Sequence, residues 1–91
     1  MQLYFSLFDE FYEEMKQSFI GIVDEVKKII NDQDYEIDYP LLNGMMYCNF
    51  KVNNLLSGDD EDRIKELMND NYHIEIELFN NCSEINIHKK I

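Results

Sequence analysis

The residues of this chain best suited to chemistry are its acids, four of which stand in a row at residues 59–62. The apolar residues that follow, Ile64, Leu67 and Met68, are spaced as on one face of a helix. A calcium loop would need alternating oxygen ligands, a central glycine and a distal bidentate Glu, all of which are missing here. We therefore expect Asp59 to cap a helix and the other acids to lie in its first turn, where they favour the positive end of the helix dipole.

A second acidic segment, DQDYEID at residues 32–38, alternates its carboxylates as a calcium loop does. It has no glycine at the sixth place, and Asn43 stands where a bidentate Glu belongs. We expect the exit of a helix here, which continues into the solvent-facing side of a strand.

The soft ligands Cys48, His73, Cys82 and His88 lack the close Cys-x-x-Cys spacing of a zinc site. The same wide spacing argues against a Cys–His nucleophile, and no glycine-rich phosphate loop stands beside it. Paired carboxylates that act as acid and base need a cleft that separates their pKa values, and a domain of 91 residues offers little room for one. We therefore predict no catalytic residues, no metal and no cofactor, and hence a protein that is not an enzyme.

Composition and charge restrict the partners of such a protein. Its 91 residues predict a single domain, 1–91, with a hydrophobic fraction of 45% that suffices for a core. A formal net charge of −11 repels nucleic acid and anionic lipid. No apolar run approaches the roughly 18 residues of a membrane span, and the opening MQLYFSLF does not resemble a signal peptide. We expect a cytoplasmic protein whose partner is a basic protein surface, with no direct binding of nucleic acid or membrane.

The first third of the chain carries a helical pattern. Between Tyr4 and Ile30, apolar residues recur in steps of three and four, at positions 4, 8, 11, 15, 19, 22, 26 and 29. We predict one long amphipathic helix, with a bend at Gly21.

A β-hairpin is predicted around Asn43-Gly44, the dipeptide most typical of a two-residue turn with positive φ at both positions. This turn specifies a register, because a slip by one residue would mix the apolar and polar faces. It pairs Tyr35 with Val52, Ile37 with Phe50 and Tyr39 with Cys48 on one face, and Glu36 with Lys51 and Asp38 with Asn49 on the other. Pro40 suits an edge strand, where its missing N–H is harmless.

The segments YHIEIELF and EINIHK alternate apolar and polar residues, which predicts a second hairpin. A tight Asn80-Asn81 turn would place Glu77 opposite Glu84. A four-residue loop would instead pair Leu78 with Ile85 and Glu75 with His88. We prefer the second register because it avoids two facing glutamates.

Together these elements predict an α+β fold. We expect a two-layer sandwich in α-β-β-α-β-β order, in which two helices cover one face of a four-stranded antiparallel sheet.

The uncovered face of that sheet is the candidate binding site. The registers place on it the residues Glu36, Asp38, Tyr47, Glu75, Glu77 and Glu84, with Met45 and Phe79 among them. Carboxylates two residues apart on a strand lie about 6.5–7 Å apart, so rows of them can stand in for the charges of a phosphate backbone. Acids are poor strand formers, which favours a binding role, although an acidic face also serves solubility alone.

The N-terminal segment is a second candidate surface. Its apolar residues cover more than one helical face, which exceeds what a small core readily buries. Tyr4, Phe5, Phe8 and Tyr12 are the candidates for self-association, as in a homodimer; the alternative is that they complete the core.

These features predict a small acidic binding protein that inhibits its target by blocking a basic, nucleic-acid-binding surface, as DNA mimics and anti-CRISPR proteins do. The richness in Asn, Ile, Lys, Asp and Tyr fits the AT-rich genomes of phages and low-GC bacteria. A phage-encoded protein of this kind would act in the host cytoplasm on a nucleic-acid-handling enzyme. The alternatives are an immunity protein or antitoxin that covers a toxin, and a homo-oligomeric structural or regulatory protein.

Overall fold

Three helices and five antiparallel strands form the part of the chain that the computed structural model describes, namely the backbone of residues 2–90 and the side chains of residues 10–90. In chain order the elements are α1 (Gln2–Gln17), α2 (Ile20–Ile29), β1 (Tyr35–Asp38), β2 (Leu41–Leu42), β3 (Met45–Val52), α3 (Gly58–Lys65), β4 (Tyr72–Leu78) and β5 (Ser83–Lys89). The predicted α+β class is confirmed. The predicted α-β-β-α-β-β order with four strands differs in two places, because the first helix is divided and the first strand is interrupted.

The predicted long helix is two helices, and the break lies at Ser18 and Phe19 rather than at Gly21. The N–H of Phe19 bonds to the carbonyl of Lys16 over 3.0 Å, which is the tighter 3₁₀ pattern. The carbonyl of Ser18 accepts a hydrogen bond from the hydroxyl of Tyr72, on β4, over 2.6 Å. The break turns Phe19 into the core, where it is 1% exposed.

The first hairpin has the predicted register. Asn43 and Gly44 both have positive φ, 53° and 77°, as a type I′ turn requires. The predicted pairs are present: Tyr35 with Val52, Glu36 with Lys51, Ile37 with Phe50 and Asp38 with Asn49. The strand β2 continues the same register up to the turn.

Tyr39 and Pro40 interrupt the outer strand of this hairpin, between β1 and β2. The predicted pairing of Tyr39 with Cys48 is therefore not part of the ladder. The carbonyl of Pro40 still accepts from the N–H of Tyr47 over 2.9 Å, so the register is kept across the gap. Pro40 lies at a sheet edge, as predicted.

The preferred register of the second hairpin is wrong. β4 and β5 take the tight register, in which Glu77 faces Glu84 and His88 faces His73 instead of Glu75. The two glutamates that face each other cost a few tenths to about 1 kcal/mol.

Burial on the other side of β4 explains this register. Ile74 faces Ile87 and is 3% exposed, whereas the rejected register would place it opposite Lys89 at the end of β5. Full burial of an isoleucine contributes about 1.5–3 kcal/mol, more than the like-charge pair costs. The tight register also keeps Tyr72 within reach of Ser18.

The strands form one sheet in the order β1-β3-β5-β4, with β2 beside β3. Alternate residues of the strands are buried on one side only. They join residues of α2 and α3 in a single core cluster: Phe19, Ile22, Val23, Val26, Ile30, Met46, Cys48, Phe50, Val52, Leu56, Ile64, Ile74, Ile85 and Ile87. Both α2 and α3 therefore pack on the same side of the sheet.

The acidic run at residues 59–62 begins α3, as predicted, although the cap is Ser57 rather than Asp59. The Ser57 Oγ accepts from the N–H of Asp60 over 3.1 Å. Asp60 and Glu61 also form ion pairs with basic residues one turn further along the helix. Local helix stabilisation thus accounts for these acids.

Candidate functional site

The open face is the side of the sheet that points away from α2 and α3, and its residues form rows across the strands. The first row consists of Glu36, Lys51, Glu84 and Glu77, on β1, β3, β5 and β4 respectively. The second row consists of Asp38, Asn49, Asn86 and Glu75 in the same strand order. The third row consists of Tyr47, His88 and His73, on β3, β5 and β4.

Most carboxylates of the open face lie along its two edges. Glu36 and Asp38 follow Asp34 at the β1 edge, and Glu75 and Glu77 lie on β4 at the opposite edge. The carboxylates along each edge form a line in which neighbours are about 7 Å apart. The two lines are separated by three strand spacings, about 14 Å. The open face therefore presents two roughly parallel lines of negative charge.

Few positive charges offset these lines. Within the described strands, Lys51 is the only lysine or arginine on the open face, and its Nζ lies 4.0 Å from Oδ2 of Asp38. Both side chains are more than half exposed, so this ion pair contributes little to stability. Glu84 lies between Lys51 and Glu77. The face remains strongly negative as a whole.

Three rings form the third row. The rings of Tyr47 and His88 meet edge-on with centroids 5.4 Å apart, and those of His88 and His73 are 5.1 Å apart. Nε2 of His73 lies 3.1 Å from Oε1 of Glu75, within hydrogen-bond distance. A shallow hollow of about 600 Å³ lies over this row and extends to Met45 and to the two lysines at residues 89 and 90. The rings offer a rigid, half-buried contact surface beside one of the carboxylate lines.

An amide pair lies between the two lines. The Nδ2 of Asn49 donates to Oδ1 of Asn86 on the neighbouring strand. The Oδ1 of Asn49 is buried and has no hydrogen-bond partner among the described residues. A buried acceptor without a partner costs about 1–3 kcal/mol.

All six residues predicted to bind a partner lie on the open face: Glu36, Asp38, Tyr47, Glu75, Glu77 and Glu84. Met45 also lies there, while Phe79 follows the end of β4 and is 46% exposed. The His73–His88 pair was not predicted, because the preferred register placed His88 opposite Glu75. A tight turn at Asn80-Asn81 would have predicted the pair, because its register places His73 opposite His88.

The cysteines and histidines do not converge. Cys48 is fully buried on the core side of β3, whereas Cys82 lies in the turn between β4 and β5. Burial raises the pKa of the Cys48 thiol to about 12, which makes it a poor nucleophile at neutral pH. Burial, and secondarily the neighbouring Cys48, raise the pKa of Tyr39. Among the side chains of residues 10–90, no three His, Cys, Asp or Glu residues are grouped as a metal site.

Only one of the four predicted self-association residues has a described side chain. Tyr4, Phe5 and Phe8 lie in α1, but their side chains are outside the described part of the structure. The hydroxyl of Tyr12 donates to the carbonyl of Tyr39 over 3.1 Å. Tyr12 therefore attaches the C-terminal half of α1 to its own sheet.

Within residues 2–90, no helix is both long and apolar enough to cross a bilayer. No protein-family model, curated protein or solved structure matches the chain.

Proposed function

We propose that this protein is an inhibitor that binds a basic, nucleic-acid-binding surface of a target protein through the open face of its sheet. The observation that carries the proposal is the pair of carboxylate lines along β1 and β4. Their separation of about 14 Å is close to the width of the DNA major groove, about 12 Å. The two lines thus resemble the phosphates that border a groove.

The energetics of the open face favour a binding role over solubility alone. Glu77 faces Glu84 directly, which destabilises the isolated protein, and acids are poor strand formers in general. Lysine or threonine at these positions would keep the protein soluble without that cost. A cationic partner would be attracted to each of these carboxylates, and this attraction would offset the repulsion among them in a complex.

The rows of the open face suggest which residues would form charged contacts with the target and which would form aromatic ones. Arginine and lysine side chains of the target, which would otherwise bind phosphates, pair with Glu36 and Asp38 at one edge and with Glu75 and Glu77 at the other. Tyr47 and the two imidazoles beside it supply the rigid aromatic contact that interface hot spots favour. The net charge of −11 speeds association with a basic surface and makes it sensitive to salt.

The experiment compares two variants of equal formal charge. The face variant carries Glu36→Gln, Asp38→Asn, Glu75→Gln and Glu77→Gln. The matched helix variant carries Asp24→Asn, Glu25→Gln, Asp62→Asn and Glu66→Gln, at exposed positions in and beside α2 and α3. Each change of four acids moves the formal net charge from −11 to −7. The target is captured from a host lysate with the tagged wild-type protein, and its affinity for each variant is measured at two salt concentrations.

We expect the face variant to remain folded and to bind the target weaker by several kcal/mol, which corresponds to at least about a hundredfold. Its affinity should also vary less with salt, while the helix variant stays within about tenfold of the wild type. In the same assay, wild-type protein should displace nucleic acid from the target, and the face variant should not. Equal losses in both variants would mean that total charge, not the open face, determines binding.

The captured partner also distinguishes the related functions. A nuclease or another nucleic-acid-handling enzyme supports the inhibitor proposed here. A basic toxin would instead indicate an immunity protein or antitoxin that uses the same face. Failure of this protein to compete with nucleic acid for the target would contradict the phosphate-mimic mechanism.

A further inference from the structure

A groove separates the C-terminal half of α1 from the turn of the first hairpin. Two adjoining hollows of about 410 and 200 Å³ make up this α1 groove, and both are lined by Phe11, Met15 and Gly44. The side chain of Phe11 is 62% exposed, and Leu41 on the other wall is 42% exposed. The α1 groove is therefore an apolar surface that the described residues of the chain leave partly uncovered.

The sequence of α1 supplies a segment that suits such a groove. In the sequence, Tyr4, Phe8, Phe11 and Met15 are spaced in steps of three and four, which predicts one apolar stripe on a helix. In the described part of the chain, Tyr12 and Met15 are the residues of α1 that pack against the core cluster. The stripe therefore continues toward the N-terminus of α1 beyond the residues that hold the helix to its own core.

Charge favours a second copy of α1 as the occupant. Lys89 and Lys90 line the strand side of the α1 groove, a basic spot on an otherwise acidic protein. The polar side of α1 carries Glu10 and Glu13, while Glu14 lines the groove itself. A helix from another copy that laid its apolar stripe in the groove would bring these acids close to the two lysines.

The available area agrees with a weak dimer. The 16 residues of α1 extend over about 24 Å, and an antiparallel pair of such helices buries a strip about 10 Å wide on each. The strand walls of two grooves add a comparable area, which gives roughly 1,000 Å² in total, the lower limit for a specific interface. An isologous contact of this size is typical of weak, transient association.

We infer that the α1 groove is the dimer interface of this protein, in which α1 of each copy packs antiparallel against α1 and the first hairpin turn of the other. The groove adjoins the open face at Met45, Lys89 and Lys90, but the two carboxylate lines lie outside it, so the inference does not depend on the proposed inhibitor function. The face variant described above should dimerise like the wild type.

Sedimentation of the full chain, from low-micromolar to near-millimolar concentration, tests this interface. Phe11→Ser should weaken dimerisation by at least about tenfold, whereas Ile20→Ser, which removes a comparably exposed apolar side chain outside the groove, should not. Lys90→Glu should weaken it as well, with Lys28→Glu as the matched control on the exposed side of α2. Circular dichroism confirms that each variant is folded. A wild-type protein that stays monomeric throughout, or a dimer that resists both Phe11→Ser and Lys90→Glu, overturns the inference.

Cross-linking identifies the occupant of the groove. A photoreactive phenylalanine analogue at position 8, in a mixture of light and ¹⁵N-labelled chains, should form mixed-isotope cross-links to the peptide that contains residues 41–46. Cross-links confined to single chains would show that α1 does not enter the groove of a second copy.

Discussion

The two hairpins of the sheet close by different means. In the first, Asn43 and Gly44 hold positive φ, and Asn43 is the only non-glycine residue with such a backbone in the described chain. The second turn, at Asn80-Asn81, has no residue of that kind, although its two strands meet in an equally tight register. Its strand β5 begins instead at Ser83, which is fully buried.

Ser83 connects the second hairpin to a distant segment. Its hydroxyl donates to the carbonyl of Asn54 and accepts from the N–H of Leu56, both over 2.9 Å. The register of the first hairpin is thus a property of its own turn, while that of the second depends on tertiary contacts. Changes at the turn should affect the first hairpin most, and changes at buried contacts the second.

The largest contrast concerns the thiol of each hairpin. Cys48 is buried beneath the first hairpin, and Cys82 is partly exposed in the turn of the second. We expect Cys82 to react with a disulfide reagent at least about a thousandfold faster than Cys48, because Cys48 requires an opening that costs about 4 kcal/mol or more. Labelling followed by mass spectrometry, with and without denaturant, measures both rates. Similar rates in the native protein would contradict the described burial.

The same burial predicts a loss of stability at high pH. The pKa of Cys48 is raised in the folded protein, from 9.0 to about 12, so its contribution is intact below pH 9 and is lost as the pH rises toward 12. The slope reaches at most about 1.4 kcal/mol per pH unit. Chemical denaturation between pH 8 and about 11 should show this decline for the wild type, and a shallower one for Cys48→Ala. Parallel curves would assign the decline to other groups.

Removal of one hydroxyl should destabilise the second hairpin strongly. Ser83→Ala leaves the buried N–H of Leu56 without a partner, for an expected loss of about 2 kcal/mol in the free energy of unfolding. Ser57→Ala is the matched control, because it removes an exposed helix cap at a cost of about 1 kcal/mol. Urea denaturation of both variants gives the comparison. A smaller loss for Ser83→Ala than for Ser57→Ala would show that the contact with residues 54–56 does not hold β5.

Equal substitutions in the two turns should have unequal effects. Asn43→Ala forces alanine into the left-handed region and should cost about 1 kcal/mol, whereas Asn80→Ala should stay within about 0.5 kcal/mol of the wild type. Gly44→Val, which adds a β-branched side chain at φ 77°, should cost well over 1 kcal/mol. Unfolding curves that coincide for Gly44→Val and the wild type would contradict the type I′ turn, and with it the polar face of the first hairpin.

The smallest effects concern the charges of the open face. Glu77→Gln removes a repulsion between facing glutamates and should stabilise the protein by a few tenths of a kcal/mol. Glu36→Gln removes the residue opposite Lys51 and should destabilise it by a similar amount. Both effects should shrink at high salt. Thermal melts at two salt concentrations check the signs; two changes of the same sign would argue against the register of one hairpin.

Some elements of the fold were predictable from residues close together in the sequence, and others were not. The pairing of Ile37 with Phe50 was predictable, because Asn43-Gly44 strongly favours one turn and the alternation of the strands leaves one matching register. The start of α3 was predictable from its acids, apart from the capping residue. The break at Ser18 was not predictable, since the carbonyl of Ser18 accepts a hydrogen bond from the hydroxyl of Tyr72, which lies on a strand far along the chain.

The candidate site was predictable to a similar extent. Alternation alone identified the carboxylates of the open face. The row of Tyr47, His88 and His73 was not predicted, because it requires both the pairing of β3 with β5 and the tight register of the second hairpin. The repulsion between Glu77 and Glu84 suggested the other register, but the burial of Ile74 contributes more free energy than this repulsion costs.

The sequence by itself determined the α+β class, the first hairpin and the acidic character of the open face, because turn dihedrals and side-chain alternation act over a few residues. Only the tertiary structure decided where the first helix divides, how β4 lies against β5 and which rings meet on the open face. These features depend on contacts between residues far apart in the chain, such as Tyr72 with Ser18 and Ser83 with Leu56. Burial and hydrogen bonding at such contacts outweigh the weaker local preferences for helix continuity and for separation of like charges.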